Sequence, residues 1–158
     1  FSDKDINEFN TNLKLNPPLR SEIDCKSVKE GLIDGTIDYL TSMHEPLDLD
    51  NKKVVFDLAT PGSIGLESVF GNMCNNFTLE KTIDILTRNK SIFEIEDHPI
   101  EKGSYADLTL FNPDKSYEFS NEHILSTSKN CAYLGTKLKG IVYGSINNNN
   151  STLNSLWT

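Results

Sequence analysis

The chain has 158 residues, 37% of them hydrophobic and 24% charged, the make-up of an ordinary soluble globular protein of one domain or a domain and a half. Its formal net charge of −8 leaves no concentration of Lys and Arg to neutralise phosphates, which argues against a nucleic-acid partner and fits an acidic cytoplasmic protein. No apolar run approaches the roughly 18 residues of a membrane span, and no basic, apolar, small-residue signal segment opens the chain, so no membrane association is expected.

The chain opens at Phe1 without an initiator methionine, as a processed chain or a fragment does. Its cysteines, Cys25, Cys74 and Cys131, are odd in number and lack Cys-x-x-Cys spacing, which disfavours a disulfide framework or zinc ligation and suggests a reducing compartment. The Asn-x-Ser/Thr triplets at Asn76, Asn89 and Asn150 are read as chance in a chain this rich in asparagine.

In chain order, Ser21 with Asp24 three residues on forms a capping box, a helix N-terminus with a carboxylate in its first turn. Ile23, Val28, Leu32 and Ile33 continue at rough helical spacing, and Gly35 is placed to end the helix. "TIDYL" (36–40) is short and β-prone and leads directly into Thr41-Ser42-Met43-His44. A second helix is predicted to begin at Gly62 or Ser63 and to include Ile64, Leu66, Val69 and Phe70. A third starts from a Thr78 cap and runs through Leu79, Ile83 and Leu86 towards Ile92.

"ADLTLF" (106–111) reads as a strand stopped by the turn Asn112-Pro113-Asp114, and "SYEF" (116–119) and "KGIVYGSI" (139–146) as further strands. The expected organisation is an α/β segment over 1–95, β strands over 96–146 and a polar tail over 147–158. The α/β part holds only about two βα units, too few to close a barrel or to cover both faces of a parallel sheet. Either the rest is supplied elsewhere or the chain is a small α+β protein of its own.

Chemistry-bearing residues are sparse. His98 in "EDHPI" and His123 in "NEHIL" read as surface histidines, and neither His-x-His nor His-Glu-x-x-His occurs, so no metal ligand is assigned. His44 is better placed, at the expected C-terminal end of a strand. In "NPPLR" (16–20) consecutive prolines stiffen the backbone after Asn16, which suits either an amide held against a ligand or a plain loop brace. Gly62 and Gly65 flank a helix start, where backbone N–H groups can meet an anion, or are ordinary turn glycines.

Taken together, "NLKLNPPLRSEIDCKSVKEGLIDGTIDYL", "HEP", "GSIGLESVF", "LTLFNPDKSYEF" and "YLGTKLKGIVYG" resemble the C-terminal portion of dihydroorotase, a member of the amidohydrolase superfamily, up to about residue 146. The resemblance implies the last βα units of a zinc-dependent (β/α)8 TIM-like barrel, followed by the C-terminal strands of a small β-sandwich. It also implies a place in pyrimidine biosynthesis, where dihydroorotate and N-carbamoyl-aspartate are interconverted. The family's His-x-His and other zinc ligands would lie upstream, so no cofactor is expected in this chain alone.

By the same resemblance Asn16 falls on a substrate-binding asparagine, and Gly62 on a glycine whose backbone binds substrate. Pro61 replaces the aromatic that usually precedes that glycine. The family's Asp-His-x-Pro-His reads Met43-His44-Glu45-Pro46-Leu47 here. His44 and Pro46 match. The proton-shuttling, zinc-contacting aspartate is Met43, and a substrate-binding histidine is Leu47. A thioether neither takes nor gives a proton, so no catalytic residue is assigned. Glu45, two residues along a turn, is expected to aim elsewhere.

The implied partners are the N-terminal part of the same protein, a second copy in a homodimer, or aspartate transcarbamoylase, which inactive dihydroorotase homologues can support. A chain acting only as such a structural partner is the alternative reading.

Overall fold

Ser21 and Asp24 make the reciprocal bonds their spacing predicts. The Ser21 hydroxyl accepts the Asp24 N–H at 3.2 Å, and the Asp24 carboxylate accepts the Ser21 N–H. In this computed structural model, which describes residues 1–147 and 150–153, they open helix α1 (Glu22–Asp34). Gly35 ends it at φ +87°, a left-handed position that glycine adopts without a Cβ penalty. Its apolar residues do not form one face: Leu32 is buried, whereas Ile23, Val28 and Ile33 stay exposed.

Helices α2 (Leu66–Asn76) and α3 (Leu79–Thr87) follow, α3 capped by the Thr78 hydroxyl. Helix α2 begins later than predicted because residues 63 and 64 are extended: Ser63 C=O accepts the Glu45 N–H and Ile64 N–H donates to Asn130 C=O. The "TIDYL" segment is not a strand among the described residues. The only pairing nearby is an isolated parallel bridge between His44 and Ser63, since a parallel strand needs the backbone of neighbouring units to complete its ladder.

The described residues are α/β, with one antiparallel sheet in the order β1-β2-β3: β1 (Asp107–Glu118), β2 (Lys137–Asn147) and β3 (Asn150–Leu153). "ADLTLF" and "SYEF" are thus one strand. Asn112-Pro113-Asp114 does not stop it but bulges it, because register passes from Asn112↔Ile141 to Ser116↔Lys139. A bulge tolerates a proline that cannot donate to the ladder. The predicted polar tail contains β3, with Asn150 opposite Asn147; residues 148, 149 and 154–158 lie outside the described residues.

The chain forms two compact units, Phe1–Val69 with Phe119–Thr136, and Phe70–Glu118 with Lys137–Thr158. They interleave along the sequence, unlike the division near residue 95 expected from the change in pattern. The second unit packs the later turns of α2 on the sheet: the Phe70 and Phe111 rings lie 4.9 Å apart, and a Cβ on Gly140, at φ +89°, would fall 2.9 Å from Cys74 Sγ. Met73, Ile85, Leu138 and Ile141 are its buried apolar residues. The first unit is centred on Leu13, Leu32, Ala59, Ile64, Phe119, Ile124 and Cys131. No helix among the described residues is long and apolar enough to cross a membrane.

Candidate functional site

A cavity of about 270 Å³ opens within the first unit. Asn16 and Met43, two of the positions singled out in the sequence, line it together, and Glu45 joins them. Glu45 Oε2 lies only 2.8 Å from where a Cβ on Gly62 would stand, against a glycine outside the cavity lining. Met43 and Glu45, on either side of His44, are both among the residues lining the cavity. Met43 itself has a left-handed backbone at φ +43°. The Asn16–Pro17 peptide is cis.

His44, between them, is directed to the start of α2. Its Nδ1 accepts the N–H groups of Gly65 and Leu66, each at 3.3 Å, which leaves the ring proton on Nε2, 3.5 Å from Ser126 Oγ. The Ser126 hydroxyl in turn donates to Glu67 Oε1 at 2.5 Å, and the Ser126 N–H donates to the same oxygen at 2.8 Å. Burial pushes the Glu67 carboxyl up, but the Ser126 hydrogen bonds, its own backbone N–H and the nearby His44 outweigh it, leaving it below its ordinary value. The N–H groups suggested as an anion site are thus spent on an imidazole. Gly65 is required there, because a Cβ would lie 2.5 Å from Ser42 C=O.

The loop after His44 is held by a residue the sequence reading missed. Asn130 is fully buried, at 0% exposure. Its amide NH2 donates to Glu45 C=O at 2.9 Å and to Gly62 C=O at 3.4 Å, and its Oδ1 accepts the Leu47 N–H at 3.1 Å. Ser128 Oγ adds a bond to Leu47 C=O. A signal was present in "STSKNC": Ser126, Ser128 and Asn130 recur every second residue and all turn inward, the alternation of an extended segment whose inner face is polar.

The other assigned positions lie around the cavity, not in it. Gly62, at φ +132°, is buried beneath Glu45 and Leu47; its N–H donates to Lys14 C=O at 2.9 Å. Pro61 is exposed, and Leu47 lines a separate open groove with Pro46, Asp48 and Ser128. Nearby, Lys52 is buried and donates to the carbonyls of Thr11 and Lys14. Burial and then the Lys14 charge pull its ammonium below the ordinary value, and Glu45 pulls the other way.

Among the described residues no three His, Cys, Asp or Glu side chains gather as a metal site. The donors present do not suit zinc: both His44 nitrogens are engaged within the fold, and His123 Nδ1 accepts the Ser120 N–H at 3.1 Å, stacked against Phe119. His98 packs near Tyr105.

No family model matches the chain. Over 148 residues it is 38% identical to the dihydroorotase of Endomicrobium trichonymphae, an alignment covering 89% of this chain and 35% of that protein. Among solved structures, the L-hydantoinase (dihydropyrimidinase) of Arthrobacter aurescens superposes with a TM-score of 0.78 at 20% identity, covering 97% of this chain and 37% of that one. An inactive dihydroorotase-like domain of a Chaetomium thermophilum CAD-like multifunctional protein superposes with a TM-score of 0.56 at 18% identity, covering 86% and 38%. The chain spans about a third of the length of the curated relatives it matches.

Proposed function

We propose that this chain, a homologue of dihydroorotases along about nine-tenths of its length, is the C-terminal portion of a dihydroorotase-type protein, contributing the last βα units of a (β/α)8 barrel and closing strands of a β-sandwich. The interconversion of dihydroorotate and N-carbamoyl-aspartate belongs to the fuller assembly, and zinc ligands come from outside this chain. The exposed Ile23, Val28 and Ile33, spread around α1, support that reading, since a helix apolar on several sides needs cover on several sides.

One observation carries the reading of this chain as inactive by itself: Met43 lines the same cavity as Asn16, and presents a thioether where the resemblance places the proton-shuttling aspartate. General acid–base catalysis contributes about 10²- to 10⁴-fold in rate, and that contribution is missing at this position. The cavity can still bind and orient, with Asn16 among its lining residues to offer an amide. A second reading, a non-catalytic homologue serving as structural partner, for example of aspartate transcarbamoylase, is favoured by the fold shared with the inactive dihydroorotase-like domain.

Native mass spectrometry beside a denaturing run tests the first reading, with dihydroorotate turnover measured on whatever species is found. A second polypeptide released only on denaturation is the expected result. Turnover by a lone 17.7 kDa chain would overturn the proposal. Co-purification with a transcarbamoylase, without turnover, would establish the second reading in its place.

A further inference from the structure

We infer that Lys52 is a positioning residue for the cavity beside Met43: its buried ammonium fixes the node from which two lining stretches, beginning at Leu15 and at Ser63, depart. The inference rests on that cavity being a binding site, as the reading above has it, but not on the activity of any fuller assembly.

Burial is the first argument. Lysine is seldom fully buried without a charged partner, yet Lys52 is only 5% exposed. Among the described residues no carboxylate forms an ion pair with it, and Glu45 is felt only electrostatically. A methionine would fill nearly the same space without taking a charge out of water. What the ammonium adds is donors, and it gives them to two backbone carbonyls, Thr11 at 3.0 Å and Lys14 at 3.1 Å. The Thr11 hydroxyl returns a bond to Lys52 C=O at 2.7 Å, so the two stretches hold each other.

Place is the second. The Lys14 carbonyl that Lys52 grips also accepts the Gly62 N–H at 2.9 Å. Leu15, Asn16 and Pro17, which follow Lys14, line the cavity, and so do Ser63, Ile64 and Gly65, which follow Gly62. One carbonyl thus joins the roots of both lining stretches, and a charge-assisted hydrogen bond, stronger than a neutral one, holds it in place. Lys52 does not itself line the cavity. Its influence on a ligand runs through the distance it sets between the Asn16 amide and the Ser63–Gly65 stretch.

Nuclear magnetic resonance of the ¹⁵N,¹³C-labelled chain tests the inference in the parent and in two variants. In the parent, the Lys52 ammonium should give its own ¹⁵Nζ signal, protected from exchange with water, with a scalar coupling across the hydrogen bond to the Lys14 carbonyl carbon. In Lys52→Met, exchange of the Gly62 amide should rise at least about tenfold more than that of the α1 amides, the scale of one lost bond to a charged group. The Asn16 and Gly65 amides should shift with it. Thr11→Val removes only the return bond to Lys52 C=O and should raise Gly62 exchange about threefold, which keeps the test open if the methionine variant does not fold. A parental Lys52 signal that exchanges like those of exposed lysines would overturn the inference. So would a folded Lys52→Met, or failing that Thr11→Val, whose Gly62 exchange rises no more than that of α1. None of these outcomes bears on the mass-spectrometric test of the assembly.

Discussion

Replacing Asn130 with alanine removes the amide that ties three stretches of the first unit together. The Leu47 N–H and the Glu45 C=O lose their partners, and the Gly62 C=O loses a longer bond. A buried polar group left unpaired costs about 1–3 kcal/mol. Two such groups set a range of about 2–6 kcal/mol, but Leu47 and Glu45 are only half-buried and water can reach them. The expected loss is therefore about 2–4 kcal/mol, a large share of the ~5–15 kcal/mol that holds a typical domain. Asn130→Asp keeps the shape and the acceptor for Leu47, yet turns an oxygen towards two carbonyls, so it should lose as much as the alanine variant.

Urea denaturation gives the global value, and hydrogen exchange at the Leu47 amide gives the local one, because that proton is shielded by Asn130 Oδ1. If Asn130→Ala stays within about 0.5 kcal/mol of the parent, the range of an indifferent surface change, and Leu47 exchanges at the parental rate, the side chain is not the clamp described here.

Gly65→Ala should destabilise by about 1–3 kcal/mol, the usual range for an overpacked site, because its Cβ would meet the Ser42 carbonyl at 2.5 Å; the melting temperature reports it. The folded Glu67 carboxyl lies below its ordinary value of 4.5, so its contribution to stability is complete above that value and is lost as pH falls through the lower folded value. Glu67→Gln should flatten this acid limb in a series of urea midpoints, and an unchanged limb would remove Glu67 as its source. Dialysed against zinc, the chain should retain less than one equivalent by atomic absorption; one tightly held equivalent per chain would show that its donors suffice.

Local chemistry made part of the structure legible. The Ser21–Asp24 box, the left-handed Gly35 and the Thr78 cap act within a few residues, and the sequence shows them directly. The pairing of "TIDYL" was not legible, because a strand is defined by its neighbours. The Asn112-Pro113-Asp114 bulge reads as a turn until β2 is seen opposite it, with Gly140 where the register slips. Family resemblance led to Asn16 and Met43, and the structure puts them in one cavity. Asn130 lies 83 residues from its partner Leu47. Nothing local announced it beyond the alternation in "STSKNC", which is easily passed over as a polar loop.

The placing of His44 opposite Met43 and Glu45 has an evolutionary consequence. The imidazole carries the attachment to α2, while the residues on either side line the cavity. Mutation can therefore rewrite positions 43 and 45 without undoing the frame that displays them. A lineage could exchange a proton-transferring group for a thioether here, and later the reverse, with selection for foldedness blind to both steps. Aspartate is among the few residues that tolerate the left-handed backbone at position 43, so the return path stays open at the cost of one side chain.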